Sequence, residues 1–437
     1  MTTLSDEEER DAMRKRLTAL LALSCLILCA CGQPGSDKDA QVARESVTPD
    51  YETPALRIGM PDDTMPDPEL SGSTEAELDE NVPEQTLMKP QVTGIDTIID
   101  GMSLKEQVSQ LFIISLGDRA SPSDELEAFV DAAEAGGYIL FKENITTVER
   151  TMELTEAVAA YSAIAPFICI DEEGGEVSRL RSARLPGYEP QRSARDIGAT
   201  GDTLNAFSAG ETIGGALASI GVNVDFAPVV DVLTNTRNKV IGSRAFGSDP
   251  GLVGDMASAF REGLQTHGIM SAPKHFPGHG NTVNDSHSQR VEIDSDTEHL
   301  ASVEYVPFMR LIDEGAEFIM VGHIVAPEVT SDGLPATLSE HFISDVLRFD
   351  LGFDGIIVTD AMNMGAITLE YSSAKAAVMA LQAGADMILM PQDFDEAVKG
   401  VMDSVDAGTL SPDRIRESLV RVLEAKINAG LIAINNN

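Results

Sequence analysis

The chain has 437 residues, of which 43% are hydrophobic and 23% are charged, and this composition excludes a wholly disordered protein. Acidic residues outnumber basic ones 71 to 31, which gives a formal net charge of −40. Such a chain repels phosphate backbones, so we expect no nucleic-acid partner. Three of the four cysteines lie within seven residues of an apolar leader, which excludes a disulfide framework and a CxxC metal site.

The first 31 residues carry the pattern of an export signal. Three basic residues, 14–16, precede an apolar run over residues 17–30. A helix of that length spans about 21 Å, which is shorter than the roughly 30 Å hydrocarbon core of a membrane. A basic flank followed by a short apolar stretch predicts a secretory signal peptide. Met13 is a second candidate start, in which case residues 1–12 are an extension of the gene model.

The apolar run ends in Leu28-Cys29-Ala30-Cys31-Gly32, which resembles a bacterial lipobox. The resemblance implies that Cys31 is lipidated and becomes the N-terminus after cleavage. The protein would then be exported and held at the outer face of the cytoplasmic membrane by a lipid anchor alone. The alternative is an ordinary signal peptide with incidental cysteines.

Residues 32–93 form a second segment outside any predicted core. They hold eight prolines, 14 acidic residues and 4 basic residues, without apolar periodicity. Such a segment cannot bury enough apolar surface to offset the entropy lost on ordering. We therefore expect a disordered acidic Pro-rich tether, followed by a folded domain over residues 94–437.

In the folded part, short β-branched runs alternate with amphipathic stretches of ten to eighteen residues. This alternation predicts an α/β fold with a parallel sheet, and eight strands favour a TIM-type (β/α)8 barrel over a doubly wound open sheet. The chain after the last strand is too short for another domain. The candidate strands are 110–116, 138–141, 167–171, 223–226, 269–274, 318–323, 355–360 and 387–390. The helical patterns cover 124–135, 147–164, 203–220, 251–267, 300–314, 339–350, 372–383 and 412–429.

Polar residues occur at the carboxyl ends of five of these strands. In a barrel, the carboxyl ends of the strands and the loops that follow them build the active face. Buried strands that repeatedly end in charged groups favour a shared cavity over chance. The residues concerned are Asp171, Asp225, Lys274 with His275, His323 and Asp360.

The densest motif runs from Lys274 to Gly280 with the sequence Lys-His-Phe-Pro-Gly-His-Gly, and Asp285-Ser286-His287 follows four residues later. The proline and the two glycines argue against a helix, so the two histidines of the first run are not a zinc pair on one helical face, and we predict no metal. A carboxylate such as Asp285 beside an imidazole such as that of His287 raises the pKa of the imidazole, which suits a proton donor near neutral pH. A solvated loop is the alternative for Asp285 and His287.

Two further motifs supply carboxylates. The apolar strand over residues 355–359 delivers Asp360 at its carboxyl end, where a nucleophile would stand, although a helix N-cap is another common use of such a position. The run Asp171-Glu172-Glu173-Gly174-Gly175 places acids beside a tight turn and lacks a phosphate-binding glycine pattern. Arg244 adds a cationic donor, or else a surface ion pair.

Together these motifs resemble the signature of glycoside hydrolase family 3 β-N-acetylglucosaminidases, including the peptidoglycan-recycling type. The resemblance spans roughly residues 94–430 and rests on Lys-His-Phe-Pro-Gly-His-Gly, the following Asp-Ser-His, Ser-Arg-x-Phe and Val-Thr-Asp-Ala-Met. It implies a retaining exo-enzyme with a barrel domain. The C-terminal sandwich domain of many members is missing from this sequence, so we expect a single catalytic domain.

The resemblance assigns roles to individual positions. Asp360 matches the family nucleophile, His287 the acid/base, and Asp285 the partner of His287. Five residues match positions that bind the terminal sugar, namely Asp171, Arg179, Arg244, Lys274 and His275. His279 and His323 lie in or near matching motifs and are further candidates.

The implied activity is metal-independent release of terminal N-acetylglucosamine by double displacement, with no cofactor and with a small carbohydrate or muropeptide as substrate. We expect a monomer. The recycling enzymes of Gram-negative bacteria are cytosolic, whereas this chain carries an export signal, which points to wall fragments or glycans met outside the membrane. Three alternatives remain open: a β-glucosidase, an N-acetylglucosaminide phosphorylase, and a sugar-binding lipoprotein without catalysis.

Overall fold

The computed structural model describes residues 94–282 and 290–433. The predicted signal over residues 1–31, Cys31, the tether over residues 32–93, Asp285 and His287 lie outside the described residues. The strands are β1 Phe112–Ser115, β2 Gly137–Ile139, β3 Phe167–Ile170, β4 Glu172–Gly174, β5 Val177–Ser178, β6 Val224–Asp225, β7 Met270–Ser271, β8 Lys274–Phe276, β9 Val291–Glu292, β10 Phe318–Val321, β11 Ile324–Val325, β12 Ile356–Thr359 and β13 Ile388–Leu389.

The larger sheet has six parallel strands in the order β13-β1-β2-β3-β6-β7, and a second parallel sheet has the order β12-β10-β8. Strands that are neighbours in the chain are mostly neighbours in the sheet, as βαβ units require. A single parallel bridge joins Val358 of β12 to Met387, just before β13, and another joins Val229 to Lys274. These observations confirm the predicted α/β class with parallel strands.

Helices cover the strands, and several of them begin at a residue whose side chain caps the first turn. Ser123, Thr147, Asp202 and Asp249 each accept a backbone N–H in the first turn of the helix that follows. The α-helices are Ile95–Asp100, Leu104–Ser109, Asp124–Ala133, Val148–Tyr161, Arg179–Ala183, Ala194–Gly198, Thr203–Ala218, Pro250–Gln265, Thr297–His299, Tyr305–Asp313, Gly365–Thr368, Ser373–Ala383, Phe394–Asp406 and Pro412–Asn428. Leu300–Glu304 and His341–Asp350 are π-helical, and Gly242–Arg244 and Ala336–Leu338 are 3-10 turns.

The strands are buried on both faces, which explains their continuous apolar sequences. One predicted strand, 269–274, is interrupted in the structure because Pro273 has no N–H to donate, and β7 and β8 flank the break. Among the described residues, no helix is long and apolar enough to span a membrane.

Candidate active site

A cavity of about 360 Å³ opens where the parallel strands end at their carboxyl termini. A larger cleft of about 520 Å³ lies at the opposite end of the strands, beside Ile269 and Ile356, and none of the predicted site residues lines it. The smaller cavity is therefore the candidate active site. Seven residues singled out in the sequence line it: Asp171, Arg179, Arg244, Lys274, His275, His279 and Asp360.

Asp171 binds two cations, one on each carboxylate oxygen. The Nζ of Lys274 donates to Oδ1 at 2.8 Å, and an Nη of Arg179 donates to Oδ2 at 3.1 Å. About a fifth of the Asp171 side chain is exposed to the cavity. Its oxygens therefore keep acceptor capacity for the hydroxyl groups of a ligand.

Glu173 is the second carboxylate of this network. Arg244 binds it through two hydrogen bonds of 2.8 Å each, and the Nζ of Lys274 lies 2.7 Å from Oε1. Lys274 thus bridges two carboxylates while it is itself almost completely buried. These charge-assisted contacts between protein groups fix the position of each charged head group.

Ionisation in this network is decided by pairing and not by burial. Burial alone would raise the pKa of Glu173, but Arg244 and Lys274 hold that pKa far below its usual range. For Lys274, burial acts to lower the pKa, yet Asp171 and Glu173 raise it above the ordinary value. Glu173, Lys274 and Arg244 are therefore charged at neutral pH.

The local chain direction explains why Asp171 and Glu173 reach the same cavity. Residues two apart in extended chain point to the same side, and these two flank Glu172 at the start of β4. The chain then turns back into β5 at Gly175, which has φ of +57° and where a Cβ would lie 2.8 Å from Ser193 Cα. Glycine is required there for both reasons.

His275 is held by a buried aspartate that the sequence analysis did not select. Its Nδ1 lies 2.8 Å from Oδ2 of Asp231, which is completely buried. The other oxygen of Asp231 accepts the backbone N–H of His279 at 2.6 Å. Asp231 therefore orients the His275 ring and anchors the turn that follows.

His279 lines the cavity and is uncharged. Burial, together with the charges of His275 and Arg244, lowers its pKa to about 4, although Asp231 acts in the opposite direction. Its Nδ1 lies 2.6 Å from Thr282 Oγ1, whereas its buried Nε2 has no partner in the described part of the chain. That free nitrogen is available to a ligand in the cavity.

Asp360 follows β12 and points into the cavity. Its Oδ1 accepts the backbone N–H of Ala361 at 2.7 Å. Burial alone would raise its pKa, but His323, His275 and Lys274 together with this N–H bring it below the usual value. The N-cap alternative is wrong, because the next helix begins at Gly365 with Met364 as its N-cap. An ionised carboxylate at a cavity wall is suited to nucleophilic attack.

Two of the polar residues at strand ends do not line the cavity. The Nε2 of His323 donates to the carbonyl of Ala361 at 3.0 Å, so this ring lies behind Asp360. Asp225 is completely buried and accepts the backbone N–H of Glu172 at 2.9 Å, which supports the residue next to Asp171. The expectation that all the strand-end groups face one cavity is therefore wrong for these two.

Two residues of this site were missed in the sequence. Glu173 lies in the quoted acidic run, and its spacing of two from Asp171 was the signal that would have found it. Asp231 is a lone acid in the apolar run over residues 226–233, which is also a recognisable signal. Among the residues that the structure describes, no three His, Cys, Asp or Glu side chains are grouped closely enough to hold a metal ion.

Comparison with known proteins gives consistent matches. Residues 103–425 match the model of the glycosyl hydrolase family 3 N-terminal domain. Beta-hexosaminidase A of Pseudoalteromonas piscicida is 32% identical over 331 residues, which cover 69% of this chain and 55% of that protein. Beta-hexosaminidase LpqI of Mycobacterium tuberculosis is 33% identical over 335 residues, which cover 74% of this chain and 83% of that protein.

A solved structure is similar over most of the same region. The glycoside hydrolase family 3 beta-N-acetylglucosaminidase from Paenibacillus sp. str. FPU-7 aligns with a TM-score of 0.72 at 34% identity. The alignment covers 76% of this chain and 63% of that one. The chain thus spans little more than half of the first relative and somewhat under two thirds of this structure.

Proposed function

The chain belongs to glycosyl hydrolase family 3, and from that premise we propose that it is a retaining exo-β-N-acetylglucosaminidase. Its substrates would be cell-wall fragments or glycans that end in N-acetylglucosamine. The observation that carries the proposal is Asp360, an ionised carboxylate on the wall of a cavity whose other groups are suited to hold a sugar. The relatives named beta-hexosaminidases support the choice of sugar.

The proposed reaction has two displacements. Asp360 attacks the anomeric carbon, the bond to the leaving oxygen breaks, and His287 gives that oxygen a proton. Water then attacks the glycosyl-enzyme, gives its proton to His287 and restores the Asp360 carboxylate. Asp285 would hold the His287 ring. The roles of His287 and Asp285 depend on the family motif alone.

We propose that Asp171, Arg179, Arg244, Lys274 and His275 bind the terminal sugar, with His279 as a further contact. Asp171 and Lys274 offer an acceptor and a donor side by side, which is the pairing that neighbouring sugar hydroxyls require. His323 is assigned to the support of Asp360 instead, since it lies behind that residue.

The charge balance of the cavity supports water over phosphate as the acceptor. Each Lys or Arg that lines it in the described residues is already paired with a carboxylate: Arg179 and Lys274 with Asp171, and Arg244 with Glu173. A phosphate ion would meet no free cation there and would approach the negative charge of Asp360. Hydrolysis is therefore the activity we propose. Phosphorolysis is the alternative, and assays with and without phosphate distinguish the two.

We further propose that the two parallel sheets are parts of one closed (β/α)8 barrel, which forms the catalytic domain over residues 94–437. The bridge between Val358 and Met387 links β12 to the β13 side, and β7 and β8 are two halves of one interrupted strand. With that strand counted once, the order around the barrel is β1, β2, β3, β6, β7–β8, β10, β12 and β13, which gives eight positions.

The N-terminal proposal concerns location. We propose that residues 1–31 are a signal with a lipobox, that Cys31 carries the lipid, and that residues 32–93 are the tether at the outer face of the cytoplasmic membrane. A Cys31→Ser chain would then be released from washed membranes, while Cys29→Ser, the matched control two residues away, would be retained. Equal retention of both variants would contradict the anchor.

The activity is tested with the full chain on paired p-nitrophenyl β-N-acetylglucosaminide and β-glucoside, with and without phosphate. We expect preference for the N-acetyl sugar, no acceleration by phosphate, and a loss of about 10³-fold in kcat for Asp360→Asn. Asp354→Asn is the matched control, because Asp354 is exposed near the opposite end of the same strand. Sugar binding without turnover in the unaltered protein would instead support a binding lipoprotein.

A further inference from the structure

Glu304 is a buried acid that the proposed reaction does not use. It is the last residue of the π-helical segment Leu300–Glu304, and its side chain is completely buried. Within the described ranges, neither carboxyl oxygen makes a hydrogen bond of ordinary geometry, although the backbone N–H of Val232 is close enough to favour the charged form. Nε2 of His299 lies 3.9 Å from Oε1. An acid with so few partners is costly to bury in its charged form.

The side chain lies directly against the turn that carries the candidate sugar-binding groups. A Cβ on Gly278 would lie 2.6 Å from Oε2 of Glu304 and 2.7 Å from its Cβ, so only glycine fits above it. Gly278 also has φ of +124°, and its N–H donates to the carbonyl of His275 at 2.8 Å. Glu304 therefore packs directly against the Lys274–Gly280 turn at Gly278.

A second carboxylate holds the same turn. Asp231 accepts the backbone N–H groups of His275 and His279 and also binds the His275 ring. Asp231 is close enough to raise the pKa of Glu304. A negative charge on Glu304 would thus lie close to the Asp231 side chain, in a region without solvent to screen the repulsion.

We propose that the uncharged carboxyl group of Glu304 is a positioning element for the Lys274–Gly280 turn, and that it keeps His275 and His279 directed at the cavity. Ionisation of Glu304 would push the turn away from the helix and weaken sugar binding. The sugar-binding part rests on the proposed function, whereas the link between Glu304 and the turn does not.

The electrostatics agree with this geometry. Burial, together with the nearby Asp231, raises the pKa of Glu304 to about 8, although the backbone N–H of Val232 acts in the opposite direction. Among the described residues, the other titratable groups on the elements that pack against it are His299 and Tyr305 on its own helical segments, and His275 and His279 on the turn. Of these, His279 is already uncharged at neutral pH, so it does not titrate between pH 7 and 9.

The test compares the full chain with Glu304→Gln between pH 6 and 9.5. Glutamine has the same shape and cannot ionise, and Glu298→Gln is the matched control, because Glu298 is exposed on the preceding helical turn. The readouts are hydrogen–deuterium exchange of the 274–282 peptide, corrected for the intrinsic pH dependence, and the affinity for N-acetylglucosamine. Neither readout requires turnover, and any effect of protonation of the acid/base on sugar affinity is common to the compared chains.

In the unaltered chain and in Glu298→Gln, we expect exchange of this peptide to increase, and sugar affinity to fall, by about tenfold between pH 7 and 9.5. Glu304→Gln should show neither change. An unaltered chain whose exchange is constant over this range would overturn the proposal even if the variant failed to fold. A pH-dependent exchange that Glu304→Gln abolishes, with no sugar binding in any protein, would support the link to the turn and contradict the proposed function.

Discussion

Glu173 is paired with two cations in the candidate site, so its replacement disturbs two ion pairs at once. Its carboxylate binds Arg244 through two hydrogen bonds and contacts Lys274, and all three groups are largely or completely buried. Removing one partner from a buried charge network leaves the others uncompensated. The consequence should appear in folding stability as well as in sugar binding.

We predict that Glu173→Gln lowers the free energy of unfolding by about 3 kcal/mol at pH 7. Urea unfolding followed by circular dichroism measures this loss, and the m-value shows whether the transition stays comparable. Glu176→Gln is the control, because Glu176 is exposed on the same hairpin and is expected to have little effect. Equal stability of the two variants would mean that the network contributes nothing net.

The pH dependence of this loss has a definite sign. The pKa of Glu173 is depressed in the folded state, so its contribution is present above the ordinary value of 4.5 and is lost as pH falls. The stability difference between the unaltered chain and Glu173→Gln should therefore be constant from pH 5 to 7 and shrink below about pH 4.5. A stability difference that grew on acidification would mean that Glu173 is not ionised in the folded protein.

At the scale of elements, the C-terminal helix Pro412–Asn428 closes the end of the strands opposite the candidate site. Arg414 and Arg421 of this helix reach the buried carboxylate of Asp386, which lies just before β13. One turn further on, Lys426 extends into the core and is completely buried. Its Nζ donates to Gln110 at 2.9 Å and lies 5.2 Å from the centre of the Phe167 ring.

We predict that Lys426 makes the protein more stable as the solution becomes more alkaline. Burial lowers its pKa from 10.5 to about 7, so between these values the unfolded chain binds a proton that the folded chain does not. The free energy of unfolding of the unaltered chain, relative to that of Lys426→Met, should rise by about 2 kcal/mol between pH 7.5 and 9.5.

Other groups also titrate over this range, but they are common to both chains and cancel in the difference. Lys399→Met is the control, since Lys399 is exposed on helix Phe394–Asp406, and its difference from the unaltered chain should not vary with pH. Chemical unfolding at each pH provides the data. A flat difference for Lys426→Met would show that the ammonium group is solvated in the folded state.

The elements also show what the sequence could predict. Each of the eight predicted strands overlaps a strand of the structure, because a buried parallel strand has a continuous apolar sequence. Helix Phe394–Asp406 was missed, although Ala397, Val398 and Val401 carry its buried face with helical spacing. The short pair β4 and β5 offers too few residues for a period to be recognised.

At the scale of the whole molecule, the site is assembled from distant segments by the topology of the parallel strands. Asp171 and Lys274 are 103 residues apart yet lie in direct contact. The rule that strand carboxyl ends share one face placed them at a common site from the sequence. The same rule could not tell that Asp225 and His323 lie behind the cavity, since it fixes where a strand ends and not the direction of each side chain.

Net charge is the other property of the whole molecule, and it predicts a response to salt. With 71 acidic and 31 basic residues, the acidic groups exceed the basic ones by 40, so a large negative charge is left without neutralisation by basic residues. Compaction brings these charges together, so their repulsion destabilises the folded state. Salt also weakens favourable surface ion pairs, but an exposed pair contributes only about 0–1 kcal/mol, so relief of repulsion should dominate.

We therefore predict that raising NaCl from 0.05 to 1 M increases the melting temperature of the full chain by about 5 °C. The Debye length falls to about 10 Å at 0.1 M and about 3 Å at 1 M, so most of the increase should be complete by roughly 0.5 M. Differential scanning calorimetry across this series measures it. A gain that continued in proportion to concentration would indicate exclusion of the solute from the protein surface, and a decrease would mean that the ion pairs outweigh the unpaired carboxylates.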